Sequence, residues 1–313
     1  MTLGAGGRQA SSPGTRHPAP GTFSALVLSL LLLVCFPAAA QERLLNVGDI
    51  YDPAKRADFG TAPAADIKWL KDGEHYIQSR EEQGAHQLLR VNARTGRTAP
   101  FFDAARMEAA LSRLPGMSRE DARELTRQEE YTLNPAETGL LLNHGGDLFY
   151  YQLGSDSAVR LTSGPGAEEE EDFSPDGRMV SFVRGNDLYV VELATQRERA
   201  LTSDGGPQRL NGILDWIYEE ELYGRGERRG YWWSPDSTRI AFLQLHETRV
   251  KTFPVVDHIP RGQVLEDTPY PLPGEPTPLV RVGLVSAAGG EPSWADLAGY
   301  EPTDLLVSRV AWS

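Results

Sequence analysis

Three consecutive glutamates, Glu219 to Glu221, form the part of the sequence whose residue types and spacing could bind a charged group. Adjacent carboxylates repel one another, and a bound cation relieves that repulsion. The triplet is therefore either a solvated helix face or one side of a cation-binding site. It lies between Asp215-Trp-Ile-Tyr218 and a Gly-rich, basic stretch from Arg225 to Gly230, which precedes Tyr231-Trp-Trp-Ser-Pro-Asp236.

Two other acidic segments resemble metal-binding motifs only in part. His246-Glu247 could begin a metalloprotease motif, but position 250 is valine, so no second histidine follows at the spacing that zinc needs. The acidic run from Glu168 to Asp172 lacks the alternating ligands and central glycine of a calcium loop. We interpret that run as a solvated loop, and we expect no metal ion and no cofactor.

Residues for nucleophilic catalysis are missing from the sequence. It contains no Gly-x-Ser-x-Gly motif, and its single cysteine, Cys35, lies in an apolar leader. Asp257 and His258 are adjacent, so they cannot be the base and its orienting acid by themselves, and we interpret them as structural. We therefore assign no catalytic residue.

The elements that position the glutamates belong to a repeated unit, in which an aromatic residue or leucine precedes a polar turn and a short β-rich run. The clearest copies are Phe173-Ser-Pro-Asp-Gly177 and Trp233-Ser-Pro-Asp-Ser237, and weaker copies begin at Trp69, Leu133 and Trp312. Proline fixes φ, and Asp-Gly or Asp-Ser closes a hairpin turn. The shortest interval between copies is about 40 residues, the length of a four-stranded propeller blade.

The strand that follows also recurs, as Asp147-Leu-Phe-Tyr-Tyr151 and Asp187-Leu-Tyr-Val-Val191, and each copy ends in Leu-Thr-Ser, at 161–163 and 201–203. We therefore predict an all-β fold, a partial β-propeller with about four to five blades of a larger propeller. A β-sandwich with repeated hairpins is the alternative. Residues 107–130 have helical spacing and predict a short helical insertion.

Residues 1–40 predict a secretory signal peptide. Arg8 and Arg16 precede an apolar stretch from Phe23 to Phe36, and Ala38 to Ala40 offer a cleavage site before Gln41. The apolar core is about 12 to 14 residues, shorter than the roughly 20 that span a bilayer. We expect an exported, periplasmic or extracellular protein with no membrane attachment after cleavage, and an uncleaved anchor is the alternative.

The charge balance bears on the choice of partner. The chain carries 31 basic and 44 acidic side chains, and removal of the leader with its two arginines leaves 29 basic ones. Such an acidic surface excludes nucleic acid and anionic lipid as natural partners. Because the leader holds the single cysteine, no disulfide framework is expected.

The segment from Leu210 to Gly224 is similar to the Asp-Trp-Val-Tyr-Glu-Glu-Glu segment of dipeptidyl peptidase IV enzymes, with Ile217 in place of valine. In both, the segment stands just before a Trp-Trp-Ser-Pro repeat. The resemblance covers most of the chain after the leader, and the proline-rich stretch 269–282 is typical of bacterial members. Further similar segments are Asp49 to Pro53, Ile67 to Gly73 and Val256 to Pro260. The chain thus resembles the N-terminal β-propeller region of a bacterial member.

This resemblance implies a role for two of the glutamates. In that family the last two acids of the triplet hold the free amino terminus of the substrate, and they match Glu220 and Glu221, whereas Glu219 is more variable. An α-ammonium has three N–H donors, so two adjacent carboxylates can clamp it. The family also uses an arginine to hold a substrate carbonyl, but none stands in the stretch 141–145, so we assign none.

The resemblance further implies a serine peptidase that removes N-terminal dipeptides, after Pro or Ala. The family carries its catalytic serine, aspartate and histidine on a C-terminal α/β-hydrolase domain, which is absent here, so residues 41–313 are expected to be a truncated, substrate-gating propeller. The expected partners are peptides with a free amino terminus, the missing hydrolase domain and, in the full-length form, a second copy of the chain. A secreted, non-catalytic propeller that binds peptides or proteins is the alternative.

Overall fold

A computed structural model describes residues 46–52, 67–82, 84–257, 259, 261–303 and 305–313. The predicted signal peptide lies outside these residues. Residues 1–63 and 64–313 form two separate units. In the described part of the first unit, helix α1 (Val47–Tyr51) begins with a capping box, in which Asn46 and Asp49 each accept a hydrogen bond from the other's backbone. Within the described ranges, no helix has the length and apolar character needed to cross a membrane.

The second unit contains four antiparallel sheets that follow one another along the chain. Sheet 1 consists of β1 (Ile67–Trp69), β2 (His75–Glu82), β3 (Ala85–Asn92) and β4 (Thr98–Pro100), sheet 2 of β5 (Thr132–Leu133), β6 (Gly139–His144), β7 (Asp147–Gln152) and β8 (Ser157–Arg160), and sheet 3 of β9 (Glu169–Phe173), β10 (Met179–Arg184), β11 (Asp187–Glu192) and β12 (Glu198–Ala200). In each of these three sheets the strands pair in chain order.

Sheet 4 has the order β13-β15-β18-β19, and β14 also pairs with β15. Its strands are β13 (Arg209–Asn211), β14 (Tyr231–Trp233), β15 (Arg239–His246), β18 (Leu279–Ser286) and β19 (Ser293–Trp294). A separate two-stranded hairpin, β16 (Thr252–Asp257) with β17 (Val264–Pro269), is inserted between β15 and β18.

The Ser-Pro-Asp turns have the same construction in sheets 3 and 4. The Ser174 hydroxyl donates to Asp176 (Oγ–Oδ1 2.7 Å), which also accepts from the backbone N–H of Arg178 (3.0 Å). The Ser234 hydroxyl donates to Asp236 (2.6 Å), which accepts from the N–H of Thr238 (3.1 Å). These bonds fix the turn that leads into the second strand of each blade.

The Leu-Thr-Ser segments also perform the same function in both copies. The hydroxyl of Thr162 accepts a hydrogen bond from the backbone N–H of Leu148 (2.8 Å), and that of Thr202 accepts from the N–H of Leu188 (2.9 Å). Both leucines are fully buried. Each threonine therefore satisfies a buried N–H beyond the end of the strand ladder.

The hydrophobic core consists of clusters that lie between successive sheets. One cluster joins sheets 1 and 2 through residues such as Ile77 and Leu140, a second joins sheets 2 and 3, and a third joins sheets 3 and 4. None of the three clusters of described residues joins sheet 4 back to sheet 1. Sheets packed one on the next in chain order are the arrangement of a partial propeller, which confirms the predicted fold class.

Helices α2 (Ala104–Leu111) and α3 (Arg119–Leu125) form the predicted helical insertion. Asp103 caps the first, and Ser118 forms a capping box with Asp121 at the start of the second. Met107, Leu111 and Leu125 are buried in the cluster between sheets 1 and 2. The helices therefore complete a core that two sheets alone would leave open.

Residues 305–313, where the copy at Trp312 begins, pair with no neighbouring strand among the described residues. They are held by individual hydrogen bonds instead, such as the one from Trp312 Nε1 to the carbonyl of Trp232 (3.1 Å).

Candidate functional site

The three glutamates lie on an excursion between β13 and β14 of sheet 4. The backbone of its two ends is paired at its base: the N–H of Leu214 donates to the carbonyl of Arg228 (2.8 Å), and that of Gly230 donates to Gly212 (2.9 Å). Ile213 and Arg229 form an isolated antiparallel bridge. These bonds fix the loop to the sheet, so that a short helix is held at a defined place.

That helix, here called the site helix, spans Tyr218–Tyr223 and is a single π-helical turn. The N–H of Gly224 closes it on the carbonyl of Glu219 (3.2 Å), five residues earlier. Gly224 has φ 123°, a conformation that glycine adopts without steric cost, so the chain can reverse at this point. Isolated π-turns are frequent at functional sites, where they change the direction of side chains.

Asp215 determines where the site helix begins. Its Oδ1 accepts from the N–H of Tyr218 (3.2 Å), and its carbonyl accepts from the N–H of Glu219 (2.9 Å). The side chain is only 5% exposed, and its Oδ2 has no hydrogen-bond partner among the described residues. Burial raises the pKa of this carboxyl group above its usual value.

Two tyrosines hold the inner side of the site helix against the last part of the chain. The N–H of Val307 donates to the hydroxyl of Tyr218 (3.2 Å), and the hydroxyl of Tyr223 donates to the carbonyl of Val307 (3.2 Å). Tyr218 is fully buried, and burial raises its pKa to about 12. Leu222 packs in the same cluster. Of the glutamates between them, Glu221 is exposed, whereas Glu219 and Glu220 are half-buried.

The predicted site residues, Glu220 and Glu221, are thus brought together on one helical turn. Glu220 accepts a hydrogen bond from Arg225 (Nε–Oε2 2.8 Å) and is partly buried. Glu221 is exposed, and among the described residues no basic group lies within ion-pair distance of it. Carboxylates arranged in this way can accept hydrogen bonds from a cation that approaches from solvent.

Glu219, the third member, is instead part of an ionic contact with sheet 3. Arg228 lies 3.8 Å from Glu219 (Nε–Oε2) and 3.3 Å from Glu169 (Nη2–Oε2). The next residue, Arg229, pairs with Asp172 (Nη1–Oδ2 3.0 Å). Both acids belong to β9, the first strand of sheet 3, so these arginines connect the site loop to the neighbouring blade.

The three arginines were not identified as site residues from the sequence. The sequence does contain a signal that could have found them. Three arginines, Arg225, Arg228 and Arg229, follow the three glutamates within ten residues and carry the opposite charge. The acidic run that includes Glu169 and Asp172, interpreted as a solvated loop, instead contributes β9 and pairs with two of them. Sequence alone gives no measure of the distance between Arg228 and Glu169, because sheet packing sets it.

The His246-Glu247 pair has separate structural contacts. His246 hydrogen-bonds to Gln244 (Nε2–Oε1 3.0 Å), and Glu247 is only 6% exposed. Burial, with a smaller contribution from the negative charge of Asp215, raises the pKa of Glu247 to about 7. In the described part of the chain, no three histidine, cysteine, aspartate or glutamate side chains are grouped so as to hold a metal ion.

Comparison with known proteins places these features in context. Residues 133–313 match the family model described as the dipeptidyl peptidase IV (DPP IV) N-terminal region. The chain is 38% identical over 146 residues to the protein named "Probable dipeptidyl peptidase 4" of Aspergillus clavatus, and 37% identical over 146 residues to the one of the same name in Aspergillus flavus. Each match covers 45% of this chain and 18% of the fungal protein.

A solved structure gives the same picture for the fold. The crystal structure of Porphyromonas gingivalis dipeptidyl peptidase 4 superimposes with a TM-score of 0.64 at 22% sequence identity. The match covers 84% of this chain and 36% of that one. The chain therefore spans only a minor part of the length of the proteins that it matches.

Proposed function

Because the chain belongs to the dipeptidyl peptidase IV family, as part of its N-terminal region, we propose that it is the substrate-gating propeller of an exported serine dipeptidyl peptidase. Its role is to bind the free amino terminus of a peptide through Glu220 and Glu221. The observation that carries this proposal is that both carboxylates stand on one helical turn, with Glu221 exposed and Glu220 partly exposed, while Tyr218 and Tyr223 bind this turn to Val307.

The proposed clamp discriminates by charge and by position. A protonated α-amino group presents three donors, and each hydrogen bond from a cation to a carboxylate is stronger than one between neutral groups. An internal peptide bond offers one neutral N–H and cannot replace this contact. A peptide held by its amino terminus would present one particular peptide bond, at a fixed distance from that terminus, to the nucleophile. If this is the bond after the second residue, cleavage releases a dipeptide.

The remaining parts of the proposal concern the rest of the protein. The nucleophile, its base and the pocket that selects Pro or Ala at the second position would belong to a C-terminal α/β-hydrolase domain. A signal peptide over residues 1–40 would export the chain, and the full-length protein would form a homodimer. These are expectations that the family resemblance supports.

The test begins with the gene beyond codon 313. The full reading frame is expressed, and release of a chromophore from a Gly-Pro substrate is measured for the wild type and for Glu220→Gln and Glu221→Gln. Each loses one charge-assisted hydrogen bond, worth about 1.5–3 kcal/mol, so we expect kcat/KM to fall about 10- to 100-fold. Glu219→Gln is the matched control, with a change below about threefold.

The same series contains the outcome that contradicts the proposal. If an N-acetylated peptide competes as well as one with a free amino terminus, and if neither glutamate variant loses affinity, the triplet is not an amino-terminus clamp. A full-length protein without peptidase activity that still binds free amino termini would favour a non-catalytic binding propeller.

A further inference from the structure

The three glutamates differ in what already holds them. Glu219 is tied through Arg228 to Glu169 on the neighbouring sheet, and Glu221 has no ion-pair partner among the described residues. Glu220 lies between these extremes, because its carboxylate is 2.8 Å from the Nε of Arg225. One half of the proposed clamp is therefore occupied by a cation that the chain itself supplies.

Arg225 has little else to hold it in place. Its side chain is 86% exposed, whereas that of Glu220 is 22% exposed. The ion pair with Glu220 is its only hydrogen-bonded contact among the described residues, and Glu221 adds a weaker electrostatic attraction. Gly224 and Gly226 flank it with φ of 123° and 87°, so both neighbours use conformations that favour glycine.

The other two arginines of the loop are held differently. Arg228 contacts two acids, and Arg229 pairs with Asp172 while its guanidinium lies over the ring of Tyr231, 5.9 Å from the centroid. Both residues therefore connect the site loop to sheet 3 or to the core strand that follows. Among the described residues Arg225 makes no such connection, since its one hydrogen-bonded partner, Glu220, belongs to the site loop itself.

A guanidinium and an α-ammonium form the same kind of charge-assisted hydrogen bond to a carboxylate, so they compete for Glu220. We propose that Arg225 is an internal occupant of the clamp, which the amino terminus of the substrate must displace before it binds Glu220. This inference rests on the proposed function. The exchange makes and breaks only hydrogen bonds and ion pairs.

The size of the effect follows from the exposure of the pair. Exposed ion pairs shift an equilibrium by about 1.4- to 5-fold. Arg225 therefore weakens binding of an amino terminus by a factor in this range and does not block it.

The experiment uses the protein expressed from its full reading frame. Binding of the dipeptide Gly-Pro, and of N-acetyl-Gly-Pro as the blocked probe, is measured by titration calorimetry at low salt. Arg225→Gln removes the competing cation, so the dissociation constant for Gly-Pro should fall about 1.4- to 5-fold. Arg225→Lys retains a cation, so its dissociation constant for Gly-Pro should lie between those of the wild type and Arg225→Gln.

Arg178→Gln is the matched control, because Arg178 is 85% exposed and pairs loosely with Asp176 (3.9 Å), outside the site loop. It should leave Gly-Pro binding unchanged, and thermal melting should be the same for all arginine variants. If Arg225→Gln leaves binding unchanged or weakens it while Glu220→Gln still abolishes the preference for free amino termini, the internal occupant is refuted and the clamp remains. If Glu220→Gln has no effect and the blocked probe binds equally well, the proposed function itself fails.

Discussion

Two carboxyl groups, Asp215 just before the site helix and Glu247, are buried, and the negative charge of Asp215 adds to the raised pKa of Glu247. Asp215 uses one oxygen to cap the helix, and its other oxygen has no partner among the described residues. A buried charge without a full set of partners is costly, so both groups favour the protonated form more than they do in water. The site helix therefore begins at a place where ionisation and stability are coupled.

The raised pKa of Glu247 gives a prediction with a definite sign. Its pKa is about 7 in the folded protein against 4.5 when unfolded. Protonation therefore stabilises the fold, and this contribution is complete below about pH 4.5 and is lost as the pH rises through about 7. Between these limits the change is at most about 3 kcal/mol.

Urea unfolding at pH 5 and pH 8 measures this effect. Glu247→Gln removes the titration, so its stability relative to the wild type should increase from pH 5 to pH 8. Glu124→Gln removes an equal charge from a solvent-exposed position on α3 and is the control. An equal difference between wild type and Glu247→Gln at both pH values would contradict the prediction.

At the scale of elements, the blades repeat the same side-chain hydrogen bonds as well as the same strands. Thr162 and Thr202 each accept from the N–H of a fully buried leucine, and Asp176 and Asp236 organise equivalent turns. These matches were predictable, because proline, aspartate and threonine act through local bonds that sequence spacing determines. The apolar spacing of residues 107–130 likewise predicted a helical insertion, which the structure forms as α2 and α3.

Thr162→Val and Thr202→Val test whether the two repeated threonines contribute equally to the free energy of unfolding. Each replacement keeps the shape of the side chain but leaves a buried N–H, that of Leu148 or Leu188, without its acceptor. We expect each to lower the free energy of unfolding by about 1–3 kcal/mol. Thr195→Val, at an exposed turn position, should change it by less than about 0.5 kcal/mol. Urea titration distinguishes the outcomes, and a loss in one copy alone would show that the two blades differ in this respect.

At the scale of the whole molecule, neighbouring sheets are held together by contacts between residues that are distant in the sequence. Trp233 donates through Nε1 to the hydroxyl of Ser181 (2.8 Å), and Tyr231 donates to the carbonyl of the same residue (3.3 Å). Both bonds connect β14 of sheet 4 to β10 of sheet 3. The blade that carries the site is thereby fixed on its neighbour.

Ser181→Ala should therefore weaken the boundary between sheets 3 and 4. The substitution leaves the buried indole N–H of Trp233 without an acceptor, for which we expect a loss of about 1–3 kcal/mol in the free energy of unfolding. Ser155→Ala, at an exposed turn, is the control and should be close to neutral. A Ser181→Ala protein as stable as the wild type would mean that Trp233 finds another partner.

Contacts between residues that are far apart in the sequence could not be predicted from the sequence. The family resemblance predicts a binding role for Glu220 and Glu221, but nothing local to Arg228 indicates that it meets Glu169, nearly 60 residues earlier. Likewise, Glu247 stands in the polar run His246-Glu-Thr-Arg249, which gives no sign that its side chain is buried. Both facts depend on how one sheet packs on the next, and that packing is a sum over many weak contacts.

The aromatic residues at the two ends of the site helix give the protein an intrinsic optical reporter. Trp216 precedes the helix and contacts Tyr270 (ring centroids 4.1 Å apart), and Trp232 stacks on Tyr223 at its end (5.7 Å). Five of the six tryptophans follow residue 215. Because indole emission responds to nearby charge and polarity, a cation that arrives at or leaves Glu220 should change the fluorescence of the unlabelled protein. Stopped-flow fluorescence could therefore follow exchange at this carboxylate in real time.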